Sequence, residues 1–385
     1  MEIDKLKFRG EIFLQQRLNV RDSSMELLRI ISMIMIVFYH FAVHGGFSFG
    51  TTLSISHLWY NFILMGGKIG VNIFVLISGY FLINTSKTFD IIKIIKFIGQ
   101  VFFYSVGIFV ICSVTGVIDW SMKSLIKAMF PITFSQWWFT SAYFVLYLLH
   151  PYLNRLLCSI EKPTYQRLLL LLVVCWSIIP TFTTSSFQSN PLLWFVTLYS
   201  IAGYIRLYGL NMKYATKHYF MCYLICSAIT YSSSIIFTVL GSKWDLFSQY
   251  TTYFYGQEKL TTLSISLCLF MCFSTLKMNY HKWINTMAFA TFGVYLIHDN
   301  SIVRKLLWLD WFRNAEYQDS LLLIPYSIFT VATVYIVCSS VDLLRQYIVE
   351  IPCMKIVKRY SHKVIVLLEN RTSILVDLIF GKKYT

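Results

Sequence analysis

The residues best suited to carry out chemistry in this 385-residue sequence are an arginine and a histidine within one apolar run. Arg29 and His40 lie between Ser24 and His44, in a segment that is otherwise typical of a membrane-spanning helix. Eleven helical steps return a side chain to within about 20° of its starting direction, so the two residues share a face, roughly 16 Å apart along the axis. An ionisable residue in a membrane helix is costly and indicates a functional site. The alternative is that Arg29 only anchors the helix end and His40 only bonds a neighbouring helix.

This pair suits the transfer of an acyl group from a thioester to a hydroxyl. Such a reaction needs a base for the alcohol, a cation for the phosphates of the carrier, and a site that excludes water. Neutral histidine can act as the base near pH 7, and the planar guanidinium of arginine can bind phosphate with two parallel hydrogen bonds. A later segment, FGVYLIHDN, carries His298 and Asp299. We expect His298 to lie at the depth of His40, where it could bond that histidine or a substrate.

The composition indicates a polytopic membrane protein. Hydrophobic residues make up 57% of the chain and charged residues 13%, and the mean hydropathy is +0.61. A soluble domain has about half apolar and about a quarter charged residues. The net charge of +15 does not indicate nucleic-acid binding, because the basic residues punctuate apolar runs as they do in loops that face anionic lipid. The nine cysteines form no CxxC or Cys/His cluster, so we expect no metal site.

The elements that must position these residues are predicted to be about ten transmembrane helices in an all-α protein. Apolar runs of about 17 to 25 residues define them. The predicted spans are 27–43, 69–86, 97–118, 137–153, 168–182, 192–208, 218–240, 260–276, 283–300 and 321–341. Segment 57–66 is too short to span and ends in Gly66-Gly67, which predicts an interfacial or re-entrant piece. Segment 119–136 is interpreted in the same way.

The lysines and arginines predict the orientation of these helices. Of the 33, 25 fall in the leader, the loops after alternate spans and the tail, and eight fall on the opposite side. The positive-inside rule then places both termini in the cytoplasm, with Arg29 at the cytoplasmic mouth and His40 towards the outer leaflet. The predicted organisation is a basic cytoplasmic leader at 1–23, a membrane domain at 24–350, and a basic tail at 351–385 on the membrane surface. Asp342 and Arg345, three residues apart, predict a local pair on one helical face.

Three segments, in the expected order, resemble the acyltransferase 3 family of integral membrane acyltransferases. MELLRIISMIMIVFYH matches the family's arginine, ten residues, histidine pattern, with Glu26 where an acidic residue often stands. GKIGVNIFVLISGYFLI resembles its second-helix block, with Asn72 where aspartate is common. ATFGVYLIHD resembles its late Tyr-Leu-x-His block and carries Tyr295 and His298. The resemblance covers about residues 24–350, the predicted membrane acyltransferase domain.

The resemblance implies a reaction and a set of site residues. Family members usually transfer acetyl from cytoplasmic acetyl-CoA, a co-substrate, to a sugar hydroxyl of a surface polysaccharide or its lipid-linked precursor. The protein would work among the lipids of a bacterial cytoplasmic membrane as a multi-pass protein, in an oligomeric state that stays open. The implied catalytic residues are His40, as base or covalent acyl carrier, and His298. The implied acyl-CoA contacts are Arg29, Glu26 and Lys93. The implied acceptor contacts are Asn72, Ser78, Tyr80, Trp138 and Tyr295.

Two departures from the family pattern leave the contacts to both substrates open. Many members have paired glutamates where this chain has Tyr143 and Phe144 in the fourth predicted span. The basic position after the second span corresponds to Lys87, Lys93 or Lys96. The identity of the acceptor, the length of the acyl group and the lysine that contacts CoA are therefore not defined by the sequence.

Two other functions are compatible with a chain of about ten apolar helices. A transporter or flippase of envelope glycan precursors would share the composition, but inverted repeats, which would favour it, are not found between the two halves. The combination of Arg29, His40 and His298 favours the enzyme. A sensory or scaffold domain that keeps the fold without turnover is the third alternative.

Overall fold

The computed structural model describes residues 22–50, 53–85, 90–209 and 215–360, and every regular element within these ranges is helical. The all-helical prediction is therefore confirmed for this part of the chain. The leader up to residue 21, Lys87, and the tail from residue 361 lie outside the described residues.

The helices are numbered here in chain order. Their bounds are α1 Ser23–His44, α2 Ile55–Leu82, α3 Ile91–Val114, α4 Met122–Met129, α5 Trp138–Ser159, α6 Lys162–Phe182, α7 Pro191–Tyr208, α8 Thr216–Lys243, α9 Leu260–Thr275, α10 Lys282–His298, α11 Ser301–Lys305 and α12 Leu323–Tyr360. Turns of π-helix lie at Val174–Ile178 in α6, at Leu306–Trp311 after α11, and at Gln346–Glu350 in α12. Short 3-10 turns lie at Asp245–Tyr250, Tyr253–Tyr255 and Asn314–Tyr317.

Every predicted span coincides with a helix, but not every helix has the length and apolarity of a span. Within the described ranges, six helices meet both conditions: α1, α2, α3, α6, α8 and α12. The spans predicted at 260–276 and 283–300 correspond to α9 and α10, which have 16 and 17 residues. A full crossing takes about 20 residues. The number of ten spans and the placement of the termini therefore stay predictions.

The prediction of an interfacial or re-entrant piece at residues 57–66 was wrong, because this segment forms the first part of the 28-residue helix α2. The helix begins at Ser54, whose side chain accepts a hydrogen bond from the His57 amide at 3.1 Å. Gly66-Gly67 does not end it. A Cβ atom at Gly67 would lie 2.2 Å from Cγ of Tyr39, so the missing side chain allows α1 and α2 to pack closely.

The structure defines helices in segment 119–136 and in the first part of the predicted tail. Segment 119–136 contains α4, whose eight residues are too few to span, as expected. The beginning of the predicted tail continues α12 to Tyr360. The interfacial location of both segments stays a prediction.

Helices α1, α2 and α10 form the centre of the fold around the predicted chemistry. Gly70 of α2 lies against Ile36, whereas Gly67 lies against Tyr39, which is farther from the start of α1. The two helices are therefore antiparallel. Helix α10 runs parallel to α1, because Asn285 bonds Ser23 near one end and His298 bonds His40 near the other. One face of each helix borders a common cavity.

Candidate active site

A cavity of about 420 Å³ extends along α1 between α2, α3, α5 and α10. The lining residues recur at helical spacing. Those on α1 are Arg29, Met33, Ile36, Tyr39, His40, Val43 and His44. Those on α2 are Gly67, Lys68, Val71, Phe74 and Ser78. Those on α10 and shortly after it are Ala288, Phe289, Thr291, Phe292, Tyr295, Asp299 and Arg304. Arg29 and His40 therefore border one cavity, as their spacing predicts.

The two ends of the cavity carry different polar groups. Because α2 is antiparallel to α1, Ser78 lies towards the Arg29 end and Lys68 towards the His40 end. Between the ends, aromatic side chains from several helices form much of the wall. Phe97 stacks on Phe292 at a centroid distance of 5.2 Å, and Phe139 stacks on Tyr143 at 5.7 Å. This apolar middle limits the access of water from one end to the other.

At the Arg29 end, two separate sets of polar contacts hold the arginine and a serine. Nη1 of Arg29 lies 3.4 Å from both carboxylate oxygens of the buried Glu26. The Arg29 side chain keeps 25% of its surface exposed. Ser78 donates to the Phe74 carbonyl at 2.8 Å and accepts from the Tyr143 hydroxyl at 3.1 Å. Glu26 thus orients a guanidinium that still has donors for a ligand.

At the other end, the predicted pair of histidines is in direct contact. Nδ1 of His40 lies 2.9 Å from Nε2 of His298, and Nδ1 of His298 lies 2.6 Å from the Val294 carbonyl oxygen. A carbonyl oxygen only accepts, so Nδ1 of His298 carries the proton, and Nε2 of neutral His298 accepts from Nδ1–H of His40. This network leaves Nε2 of neutral His40 unprotonated, the form that a general base requires.

The two histidines differ in their access to the cavity. His40 lines it, whereas His298 is fully buried behind His40. His40 is thus the residue of the pair that can touch a substrate, and His298 is a positioning residue that fixes its ring and tautomer.

Asp299, His44 and Arg304 surround the same end. Oδ1 of Asp299 lies 3.7 Å from Nε of Arg304 and 3.8 Å from Nε2 of His44. Nδ1 of His40 is 3.7 Å from the same oxygen. All three distances exceed that of a direct hydrogen bond, so the carboxylate lies among these groups without close pairing to them. Arg304 approaches His44 more closely, with Nη1 3.3 Å from Nε2.

The histidines and Asp299 also form a group that the sequence did not reveal. Ligand atoms of His40, His44 and Asp299 lie within 4.8 Å of one another, a spacing that a metal ion could bridge. However, the Arg304 guanidinium lies beside two of these three ligands, and Nδ1 of His40 is bonded to His298. A fixed positive charge at that position opposes a cation, so we interpret the group as a polar cluster rather than a metal site.

Ser78, Trp138 and Tyr295, predicted to contact the acceptor, all line the cavity. The ring of Tyr295 lies 6.5 Å from that of His40 by centroids, and Nζ of Lys68 lies 5.0 Å from the centroid of Trp138. These three residues are therefore placed where a substrate could reach them.

Asn72, in contrast, is fully buried outside the cavity lining. Its amide donates to the Gln257 carbonyl at 2.9 Å and accepts from Nε1 of Trp194 at 2.9 Å. Both halves of the amide connect α2 to other segments, so the structure gives Asn72 an interhelical position rather than one at the cavity.

Two more predicted contacts lie away from the cavity lining. The Tyr80 hydroxyl accepts from Arg206 at 3.0 Å, and the guanidinium lies 4.7 Å from the ring centroid. Lys93 is exposed and pairs with Asp90 at 3.3 Å, at the start of α3. Each side chain has a partner within the protein, and neither borders the cavity.

Four residues that line the cavity were not predicted from the sequence: Lys68, His44, Arg304 and Tyr143. A signal existed for two of them. Only eight of the 33 basic residues fall on the predicted outer side, and Lys68 and Arg304 belong to that minority. A basic residue on the side that the positive-inside rule depletes has a specific reason to be there.

Comparison with known proteins adds one finding. The acyltransferase 3 family model, described as an acyltransferase domain, matches residues 22–343, which run from the start of α1 into α12. No curated protein and no solved structure gives a significant match.

Proposed function

This chain belongs to the acyltransferase 3 family, and on that premise we propose that it moves an acyl group, most simply acetyl, from acyl-CoA to a sugar hydroxyl of a cell-surface polysaccharide or its lipid-linked precursor. The observation that carries the proposal is that one cavity joins Arg29 to His40. The base-competent tautomer of His40 supports the same reaction.

In the proposed reaction, Nε2 of His40 takes the proton of the acceptor hydroxyl. The alkoxide oxygen attacks the thioester carbonyl, and collapse of the tetrahedral intermediate breaks the carbon–sulfur bond. The CoA thiolate leaves and receives the proton held by His40. In a covalent variant, Nε2 of His40 attacks the thioester carbonyl and displaces the CoA thiolate. The acceptor hydroxyl then attacks the acyl group, the bond from Nε2 to the acyl carbon breaks, and the hydroxyl proton goes to the thiolate.

The donor would bind at the Arg29 end. Arg29 meets the phosphates of acyl-CoA there, and Glu26 holds the guanidinium in place. The two residues are separated by eleven positions on α1, or roughly 16 Å of rise, so an extended acyl-bearing arm could reach His40 through the aromatic middle. That apolar passage would protect the thioester from hydrolysis.

The test is the acyl content of the surface glycan in cells with the wild-type gene, a deletion, His40→Ala or Arg29→Ala, at matched protein levels. We expect the deletion and His40→Ala to abolish acylation and Arg29→Ala to reduce it. The matched control is His218→Ala, an exposed histidine on α8, which should acylate normally. Unchanged acylation in the deletion would overturn the function, and full acylation by His40→Ala would overturn the mechanism.

The proposed orientation places Arg29 at the cytoplasmic face. Radiolabelled acetyl-CoA supplied to sealed vesicles tests it, because inside-out vesicles present that face to the label. We expect incorporation into the glycan from inside-out vesicles. Incorporation restricted to right-side-out vesicles would contradict a cytoplasmic donor.

A further inference from the structure

We propose that the acceptor is an anionic glycan and that Lys68 binds its carboxylate or phosphate at the His40 end of the cavity. This inference rests on the proposed function and adds the chemical class of the acceptor. It identifies Lys68 as a residue that determines specificity.

Lys68 presents a positive charge that lacks a close counterion. Among the described residues, no carboxylate lies within the 4.0 Å of an ion pair, and its ammonium makes no hydrogen bond. Its contacts are with two aromatic rings: Nζ lies 5.6 Å from the centroid of Tyr39 and 5.0 Å from that of Trp138. Aromatic faces stabilise a cation but leave its three donors unused.

The nearby acidic groups do not complete this site. Glu258 and Asp299 are the carboxylates whose charge acts on Lys68. Glu258 lies outside the cavity lining, and Asp299 is shared with Arg304 and His44. At the His40 end, the lining therefore has two fixed cations and one carboxylate among the described residues. A low-dielectric cavity with this excess of positive charge favours an anionic ligand.

The location of Lys68 assigns the anion to the acceptor rather than to the donor. Arg29, the proposed site for CoA phosphates, is at the opposite end of the lining. Lys68 lies over the ring of Tyr39, which is the neighbour of His40 in the sequence. A sugar whose charged group meets Lys68 would therefore bring its hydroxyl to His40, while the ring of Trp138 offers an apolar surface for the sugar.

The experiment measures the affinity of the purified full-length protein, in lipid nanodiscs, for three trisaccharides with one backbone. One is neutral, one carries a uronate carboxylate and one carries a phosphate. We expect wild type to bind at least one anionic trisaccharide about tenfold or more tightly than the neutral one, because only an anion accepts a charge-assisted hydrogen bond from the ammonium. The trisaccharide that wild type prefers shows whether the acceptor carries a carboxylate or a phosphate.

Three variants connect that preference to Lys68. Lys68→Met should lose it, and Lys68→Arg should keep it because the charge remains. The matched control is Lys305→Met, which removes an exposed lysine beside Arg304 that does not line the cavity, and it should keep the preference. Acetyl-CoA affinity, measured in the same nanodiscs, should be equal in all four proteins and shows that Lys68→Met is folded.

Two results would overturn the inference. One is a wild type that binds the neutral trisaccharide as tightly as both anionic ones, or binds none of them. The other is an anion preference that persists in Lys68→Met; if that variant does not fold, the wild-type comparison alone decides. Either result, with His40-dependent acylation intact in cells, leaves the proposed function standing. Acylation that is unchanged in the deletion strain would instead be the failure of the proposed function.

Discussion

Two groups of charged side chains within the helices are built in opposite ways. In α12, Asp342 is fully buried and its carboxylate accepts four hydrogen bonds of 2.7 to 3.2 Å. Its donors are Gln100, Tyr104, Arg345 and Gln346. At the cavity, Oδ1 of Asp299 lies 3.7 to 3.8 Å from the nitrogens of His40, His44 and Arg304. The first carboxylate is saturated by the protein, and the second is not.

The saturated group connects helices, which is why we assign it a structural role. Arg345 bonds Asp342 as the sequence predicts, and it also reaches Glu350 at 2.8 Å. Glu350 in turn pairs with Lys96 of α3 at 2.6 Å. Removing one member of such a buried network leaves the others unpaired, so the network specifies one packing. The cavity groups keep donors and acceptors that a substrate can use.

Among variants that leave His40 itself unchanged, the largest expected effect concerns the positioning of this histidine. His298→Ala removes the acceptor that fixes the His40 tautomer. We expect kcat for acyl transfer to fall roughly 10²-fold or more, with KM for acyl-CoA unchanged. His298→Gln, which can accept the same hydrogen bond through its side-chain oxygen, should recover part of the loss. Equal activity of the alanine variant and wild type would show that the histidine pair has no role in the reaction.

The next largest effect concerns the packing around Asp342. A Cβ atom at Gly293 would lie 2.1 Å from Cγ of Asp342, so Gly293→Leu should separate α10 from α12 and lower stability by about 3 kcal/mol. Thermal unfolding of the detergent-solubilised protein measures it. Gly107→Leu is the control, because nothing lies within 4 Å of a Cβ atom there. Similar unfolding midpoints for both variants would show that this close contact is unimportant.

A smaller effect is expected at the donor end. Arg29→Ala should raise KM for acyl-CoA by roughly tenfold, because one phosphate contact is lost. Arg29→Lys should raise it less, since the charge is kept. Steady-state kinetics with acetyl-CoA make the comparison. A normal KM in Arg29→Ala would leave the arginine as an anchor of α1 only.

The smallest effect is expected at Asn72, whose buried amide does not line the cavity. Asn72→Ala breaks the bonds to Trp194 and Gln257 and should lower stability by about 1–2 kcal/mol. Transfer per folded molecule, and KM for the acceptor, should stay at the wild-type values. A raised acceptor KM at normal stability would return Asn72 to the acceptor site that the sequence resemblance implies.

The sequence was most informative where helical periodicity alone decides the outcome. Arg29 and His40 were expected on one face of α1, and both line the cavity. The contact between His40 and His298 was one of two alternatives, since a local motif reports depth but not which helices are neighbours. Membrane helices were also recognisable, because apolar runs are continuous in the sequence.

The sequence was least informative where distant segments meet. Gly66-Gly67 has the composition of a helix end, yet it lies inside α2 because Tyr39 packs against it. Asn72 and Lys68 are both polar residues of one helix. The packing of α1, α5, α7 and the segment at Gln257 shows that both ends of the amide are bonded and that the ammonium faces the cavity.

The central claim is that polar groups with unused donors or acceptors at the cavity serve the reaction, whereas the saturated group at Asp342 serves the fold. Parallel measurement of thermal stability and of acyl transfer per folded molecule in His40→Ala and Asp342→Asn tests it directly. We predict that His40→Ala keeps the wild-type unfolding midpoint and loses transfer by a factor on the order of 10² to 10⁴. Asp342→Asn should unfold at a lower temperature and retain transfer. A stable but inactive Asp342→Asn, or an active His40→Ala, would contradict the claim.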